Sequence, residues 1–301
     1  MRASSPPAGR SALVIINPVS GPGRRAVDAC SVQAREVLAR CGFDVQVRVT
    51  TAPGDARQMS AKALGDGVSR VVAWGGDGTL NEVGSALAFS KVSMAIVPGG
   101  SGNGLARDLG IPLDARPALE LAATGGVRVI DAGQIDQNLF FNVAGVGLDA
   151  AIAERLASPH ACRGLPGYVQ ATLAELLRYR ACSYVIVTAS GRIERRAWFI
   201  AVANSPQYGN GAQIAPAARV DDGHLDLVVV ESQPLWRLLR RVPAFFRGSL
   251  APAEGLHMAQ VDEATIMSEV AVRYHVDGEP RLGGSAIHVR VRPRALRVIS
   301  R

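Results

Sequence analysis

Three glycines, an acid and a hydroxyl crowd the stretch WGGDGTLNEV, residues 74–83. Gly75, Gly76 and Gly78 follow a short apolar run and precede a helical pattern, so backbone amides and the positive end of a helix dipole converge where an anion could sit. Phosphate suits such a place: absent side chains let the backbone approach its oxygens, and Thr79 and Asn81 add donors near the helix start. Asp77 breaks that pattern. A carboxylate beside phosphates repels them unless a divalent cation or a proton lies between, which points to Mg2+ or to general-base chemistry. A tight turn with Asp77 as the helix N-cap is the plainer alternative.

A second loop repeats the device. VPGGSGNGLARDLGIP, residues 97–112, runs from an apolar strand pattern through Gly100 and its neighbours into an apparent helix, with Ser101 and Asn103 as hydrogen-bonding groups and Arg107 as a cation. Asn103 stands where a serine-hydrolase elbow requires its second glycine, so the loop is not G-x-S-x-G. Two such loops on neighbouring strands of an open α/β sheet face one crevice.

The elements that must hold these loops alternate. SALVIIN, FDVQVRVT, SRVVAW and SMAIVP read as strands, and helical patterns fall at 27–42, at 55–65 and from Thr79. This predicts a three-layer α/β domain with a parallel sheet over residues 11–131. From 132 to 301 the pattern becomes a β-rich sandwich: NLFFNVAG, CSYVIVTAS, RRAWFIAVAN, HLDLVVV, AQVDEATIM, VAVRYHVDG and AIHVRVRP are strand-like, with helical interruptions at about 149–157, 165–180 and 234–247. Ile287, Val289 and Val291 alternate with His288, Arg290 and Arg292, as an antiparallel strand with one wet face does.

Composition removes several function classes. Lys62 and Lys91 are the only lysines and neither lies in Gly-Lys-Ser/Thr, so a Walker A loop is excluded. The net charge of +7 comes from scattered arginines without an RNA-binding aromatic signature, so no nucleic-acid partner is expected. Cys30, Cys41, Cys162 and Cys182 form no CxxC pair, which argues against zinc or a disulfide framework. No signal peptide or membrane-spanning run appears; the expectation is a cytoplasmic protein with a disordered N-terminal tail.

Six stretches, in order, resemble the diacylglycerol kinase catalytic-domain family, which also contains sphingosine kinases and bacterial lipid kinases. They are NPVSG (17–21), GGDGTLNEV (75–83), PGGSGNGLAR (98–107), FNVAGVGLDA (141–150), ANSPQYGNGAQIAPAARVDDGHLDLV (203–228) and VDGE (276–279). GGDGT alone is also similar to NAD kinases and phosphofructokinases, whose α/β fold the first domain should share. The resemblance implies a kinase that transfers the γ-phosphate of ATP to a lipid alcohol such as diacylglycerol or a sphingoid base, in the cleft between two domains.

Carried over residue by residue, the resemblance places nucleotide contacts at Asn17, Thr50, Gly76 through Glu82 and Ser101, where serine replaces a threonine common in relatives. It places Mg2+ at Asp222 with the backbone carbonyls of Arg219 and His224, an oxygen set that suits that ion. It makes Glu279 the proton acceptor with Asp277 beside it, while Asp77 shares that role or binds a catalytic Mg2+. As bare sequence, Asp221–Gly223 is also a turn and DGE also a hairpin. A lipid acceptor implies peripheral membrane association during action. Two segments invite it: 235–250, where Trp236, Phe245 and Phe246 interleave with Arg237, Arg240, Arg241 and Arg247, and the stretch from Leu165 to Tyr179. Such a basic stretch is more often a helix packed on its apolar side. A homodimer is carried as an option. The alternatives are an NAD kinase-like phosphotransferase and a lipid or nucleotide sensor without chemistry.

Overall fold

The computed structural model describes residues 10–20, 26–158 and 164–301, so Gly21 of the first motif, the N-terminal tail and Cys162 lie outside the described residues. The chain forms two units. The first comprises residues up to Gly100, Leu109–Val129 and Leu296–Arg301; the second comprises Ser101–Asp108 and Ile130–Ala295. A single boundary at 131/132 contains neither of those two returns of the chain.

In the first unit the chain runs β1 (Arg10–Ile16), α1 (Val27–Arg40), β2 (Phe43–Val49), α2 (Asp55–Gly65), β3 (Arg70–Gly75), α3 (Asp77–Leu87) and β4 (Ser93–Pro98). The strands pair in parallel in the order β2, β1, β3, β4, and Val298 from the last strand of the chain pairs beside Met94. β3 and β4 are apolar and buried almost throughout, because helices cover both faces. β2 stands at the edge and alternates, with every second side chain in solvent. Helix α3 begins at Asp77, two residues before the expected start at Thr79, because Gly76 rather than Asp77 is the N-cap.

The remaining elements are α4 (Gly104–Asp108), α5 (Ala115–Thr124), β5 (Gly126–Ile135), β6 (Asn138–Phe140), β7 (Val143–Gly147), α6 (Leu148–Leu156), α7 (Gly164–Leu176), β8 (Cys182–Thr188), β9 (Gly191–Ala203), β10 (Gln207–Gly209), β11 (Ala212–Gln213), β12 (Leu225–Glu231), α8 (Leu235–Arg247), β13 (Leu256–Val261), β14 (Glu263–Met267), β15 (Arg273–Val276), β16 (Glu279–Leu282) and β17 (Ala286–Ser300). Helix α5 belongs to the first unit; the others lie mainly in the second. The second unit is β-rich and antiparallel. Its spine is β9, whose first half pairs with β8 and whose second half is flanked by β7 and β12. Ile186, Ile200, Leu225, Ile266 and Ile287 meet in its buried interior.

Three strand expectations need correction. NLFFNVAG is broken at 141–142 into β6, which pairs with β5, and β7, which pairs with β9 and β15. AQVDEATIM is not one strand: β13 pairs with β12, then the chain turns at Asp262 and β14 pairs with β8 and β17. One apolar run therefore serves two sets of partners, and the change of direction is invisible in its periodicity. VAVRYHVDG yields a strand only at 273–276, with Val270 in solvent. Cys30, Cys41 and Cys182 are free thiols.

Gly133 in β5 faces the fully buried Phe140 ring, and a Cβ there would overlap the ring atoms. Gly133→Ala is expected to cost about 1–3 kcal/mol, the range for overpacking. Gly126→Ala, where a Cβ would meet nothing within 4 Å, should stay within about 0.5 kcal/mol of the parent. Denaturant unfolding of the two variants checks both expectations.

Candidate functional site

In the first unit, β3 and β4 pair in register with Gly75 opposite Pro98, so the two glycine loops leave the carboxyl edge of adjacent strands. Much of what excludes side chains from the first loop is the protein itself. A Cβ on Gly75 would lie 2.5 Å from Thr79 Oγ1, and one on Gly76 would lie 3.2 Å from Gly100 Cα. The Gly99 amide donates to the Gly75 carbonyl at 2.8 Å, which holds the loops at that approach. Close backbone contact, rather than a ligand alone, requires these two glycines.

Asn17 joins the same cluster. Its amide donates from Nδ2 to Thr79 Oγ1 at 2.9 Å, while its backbone N–H donates to the Trp74 carbonyl. Ser20 Oγ accepts from the Gly76 amide at 3.2 Å. Thr79 and Asn81 are buried on the inner side of α3, and Thr50, also buried, donates its amide to Ile16 at the end of β1. Asp77 and Gly78 occupy the first turn of α3 and are half-buried. Glu82 fastens the start of α2, where its carboxylate accepts from the amides of Gly54 at 2.8 Å and Arg57 at 3.3 Å.

The second glycine loop continues into the second unit. Ser101 is exposed; Asn103 bridges to Gly209, and a Cβ on Gly104 would strike the Asn142 amide. Its glycines again make room for protein, here for β10 and the chain at 142.

Asp277 organises the second unit's polar centre. With φ of +49° at Asp277 and +86° at Gly278, DGE forms the tight hairpin turn between β15 and β16. Yet the Asp277 carboxylate also accepts three consecutive amides: Oδ2 from Phe141 at 2.9 Å, and Oδ1 from Asn142 at 2.9 Å and Val143 at 3.2 Å. Its own amide donates to the Val143 carbonyl at 3.0 Å. Much of its accepting capacity is committed to the backbone. Glu279, two residues on, is exposed, with Arg281 Nη1 at 4.0 Å.

Behind the turn stands a chain of side chains that sequence reasoning gave no role. Tyr208 donates its hydroxyl to Asp149 Oδ2 at 2.5 Å, and His275 Nε2 lies 2.9 Å from the same oxygen. The Gly278 amide donates to His275 Nδ1 at 3.2 Å, so Nδ1 accepts and the ring proton sits on Nε2, towards Asp149. Burial, and then the Asp149 charge, pushes the Tyr208 hydroxyl well above its usual range. A Cβ on Gly145 would lie 2.5 Å from His275 Nε2, so that glycine gives the pair its space. Asp149 and Tyr208 lie within the motif stretches, and their residue types were the only available signal; their meeting with His275 depends on the pairing of β7 with β15.

The turn at Asp221–Gly223 is fixed from below. Buried Asp131 accepts from the Gly223 amide at 2.8 Å through Oδ2 and from the Arg294 amide at 2.7 Å through Oδ1. Asp222 Oδ1 accepts from the His224 amide at 3.1 Å, while the His224 ring sits 2.6 Å from Asp262. Burial first, and the Asp222 charge second, raise Asp226 to about 6, with His224 opposing. Asp226 thus feels the charge of Asp222, a situation a cation would relieve. Among the described residues no group of three or more His, Cys, Asp or Glu side chains forms a metal cage.

Comparison with known proteins follows the same order along the chain. Residues 11–135 match the diacylglycerol kinase catalytic domain, and residues 142–300 match the YegS C-terminal NAD kinase beta sandwich-like domain. The chain is 32% identical to a diacylglycerol kinase of Mycobacterium tuberculosis strain H37Rv over 78% of each chain. It is 31% identical to a "Probable lipid kinase YegS-like" of Enterobacter sp. strain 638 over 94% of each. A solved diacylglycerol kinase from Bacillus anthracis strain Sterne shares the fold, with a TM-score of 0.75 at 20% identity over 98% of each chain. The sequence relatives and both domain matches place this chain in the diacylglycerol kinase family, alongside the YegS-like lipid kinases.

Proposed function

We propose that the protein transfers the γ-phosphate of ATP to the hydroxyl of a lipid alcohol such as diacylglycerol or a sphingoid base. The observation that carries this reading is the DGE turn, in which Asp277 grips three amides and Glu279 is left as the exposed carboxylate. Glu279 takes the proton of the acceptor hydroxyl as its oxygen bonds to the γ-phosphorus, and the bond from that phosphorus to the bridging oxygen of ADP breaks. Phosphoryl transfer asks little covalent work of the protein, so holding and orienting the reactants supplies most of the effect.

The donor belongs to the first unit's loops. Asn17, Thr50, the first turn of α3 with Asp77, Gly78 and Thr79, and Gly100 supply backbone and side-chain groups for its phosphates, with Ser101 and Asn103 following in the chain. Asn81 supports the turn from its buried side, and Glu82 contributes by fixing the start of α2. Asp222, with the carbonyls of Arg219 and His224, would hold Mg2+, which when bound offsets phosphate charge. The acceptor arrives from a membrane. No described helix is long and apolar enough to cross one. On α7, Val169 and Leu173 are exposed, followed by Leu177 just beyond its end, an apolar row suited to a lipid-facing wall.

Transfer of label from γ-labelled ATP to mixed micelles of diacylglycerol, monoacylglycerol, sphingosine or phosphatidylglycerol, with NAD as a soluble control, tests the reading. Label in a lipid is expected; label in NAD alone would overturn it. Glu279→Gln should lower kcat by about 10²- to 10⁴-fold, the usual worth of a general base, without moving Tm. Asp77→Asn should also lose transfer, and full activity in both variants would refute these assignments. Mg2+ should raise the Tm of the parent protein, and Asp222→Ala should abolish that rise; an unchanged rise would place the ion elsewhere.

A further inference from the structure

Helix α8 carries four arginines, and no acid occurs between Glu231 and Glu254. Its inward side is settled: Leu238 and Phe245 pack against the cluster formed by Ile214, Val228, Val230 and Leu256. Its outward side is not polar, as a helix fastened to a domain would ordinarily make it. Trp236 is 54% exposed, Leu239 50%, Val242 42% and Phe246 47%. Spaced at three, three and four residues, these four share one stripe, with exposed Pro243 beside them. Arg240 and Arg247 flank that stripe in solvent, while Arg237 and Arg241 are turned back to Glu254. Among the described residues no carboxylate pairs with Arg240 or Arg247.

We infer that α8 is the element by which this protein rests on an anionic lipid surface, with Trp236, Leu239, Val242 and Phe246 entering the headgroup boundary and Arg240 and Arg247 on lipid phosphates. An exposed apolar stripe flanked by charge of one sign fits an interface that is apolar within and negative at its surface. A protein partner of matching shape would meet the same stripe, but the missing acids and the arginine rim favour anionic headgroups. The position in the fold agrees. Phe245 lies against Tyr208, with ring centroids 6.3 Å apart, and Tyr208 leads through Asp149 and His275 to the Gly278 amide of the DGE turn. A surface held by α8 thus lies a short run of packed side chains from the turn that carries Glu279. The inference deepens the lipid-acceptor reading and rests on it for the reason the protein visits a membrane.

The test separates binding from chemistry. Sedimentation with vesicles, without ATP, compares pure phosphatidylcholine with vesicles in which about one third of the lipid is phosphatidylglycerol. The parent should bind the anionic vesicles preferentially, with a blue shift in Trp236 emission. Leu239→Asp with Phe246→Asp should weaken binding by about tenfold or more, and Arg240→Glu with Arg247→Glu should remove the preference for anionic lipid. All four side chains are exposed, so Tm should hold. Transfer to a short-chain, water-soluble diacylglycerol should persist in both double variants. Unchanged vesicle binding in the variants overturns the inference whether or not transfer occurs. A dimer that both double variants dissolve, with no vesicle binding by the parent, also overturns it and assigns the stripe to a second copy.

Discussion

The second unit depends on one carboxylate gripping three backbone amides. A sharp hairpin needs residues that accept positive φ, and Asp-Gly meets that need at Asp277 and Gly278. The same aspartate is then close enough to β7 to satisfy the amides of residues 141–143, groups that would otherwise be costly to leave unpaired in a region this buried. Asn142, whose amide Asp277 holds, receives the Ser205 hydroxyl and approaches the Tyr208 carbonyl. His275, Asp149 and Tyr208 brace the turn from behind. A hairpin that could have been a simple reversal becomes a fixed platform. The two acids of DGE are thereby separated in role: Asp277 positions, and Glu279 faces solvent.

Glycine has several meanings along this chain, and only some concern a ligand. Gly75 yields to Thr79, Gly76 to Gly100, Gly104 to Asn142, and Gly145 to the Asp149–His275 pair. The common cause is that space left for a neighbouring group allows polar side chains and backbones to meet at hydrogen-bond distance. In the first unit this brings two loops together at the carboxyl edge of a parallel sheet, beside the start of α3, where amides and helix dipole favour an anion. The glycine loops thus build the place by packing on each other.

Much of this was legible in the sequence. The alternation of strand and helix up to residue 98 outlined the α/β unit nearly residue by residue, because each element there has a uniform environment and a clean period. The glycine loops stood out because glycine has few substitutes where space is short, whereas the acids of DGE were singled out by the family resemblance and as bare sequence read equally as a hairpin. What stayed hidden depends on pairing at long range. Asp131 reaches Gly223 and Arg294, and Asp277 reaches 141–143, over sequence distances no local pattern spans. Nothing local marks His275 within its strand-like run, because its partner Asp149 comes within reach only through the pairing of β7 with β15. The return of 101–108 to the second unit is likewise set by its packing against Gly209 and Asn142, not by composition.

The Asp277 carboxylate works as a clasp on the chain at 141–143. Amide hydrogen exchange measured on the parent and on Asp277→Ala tests it most directly. Protection at Phe141, Asn142 and Val143 should fall sharply in the variant, while the strands β8 and β14 keep theirs. Equal protection at those three amides in both proteins would contradict it and make Asp277 once more a candidate to take the acceptor's proton.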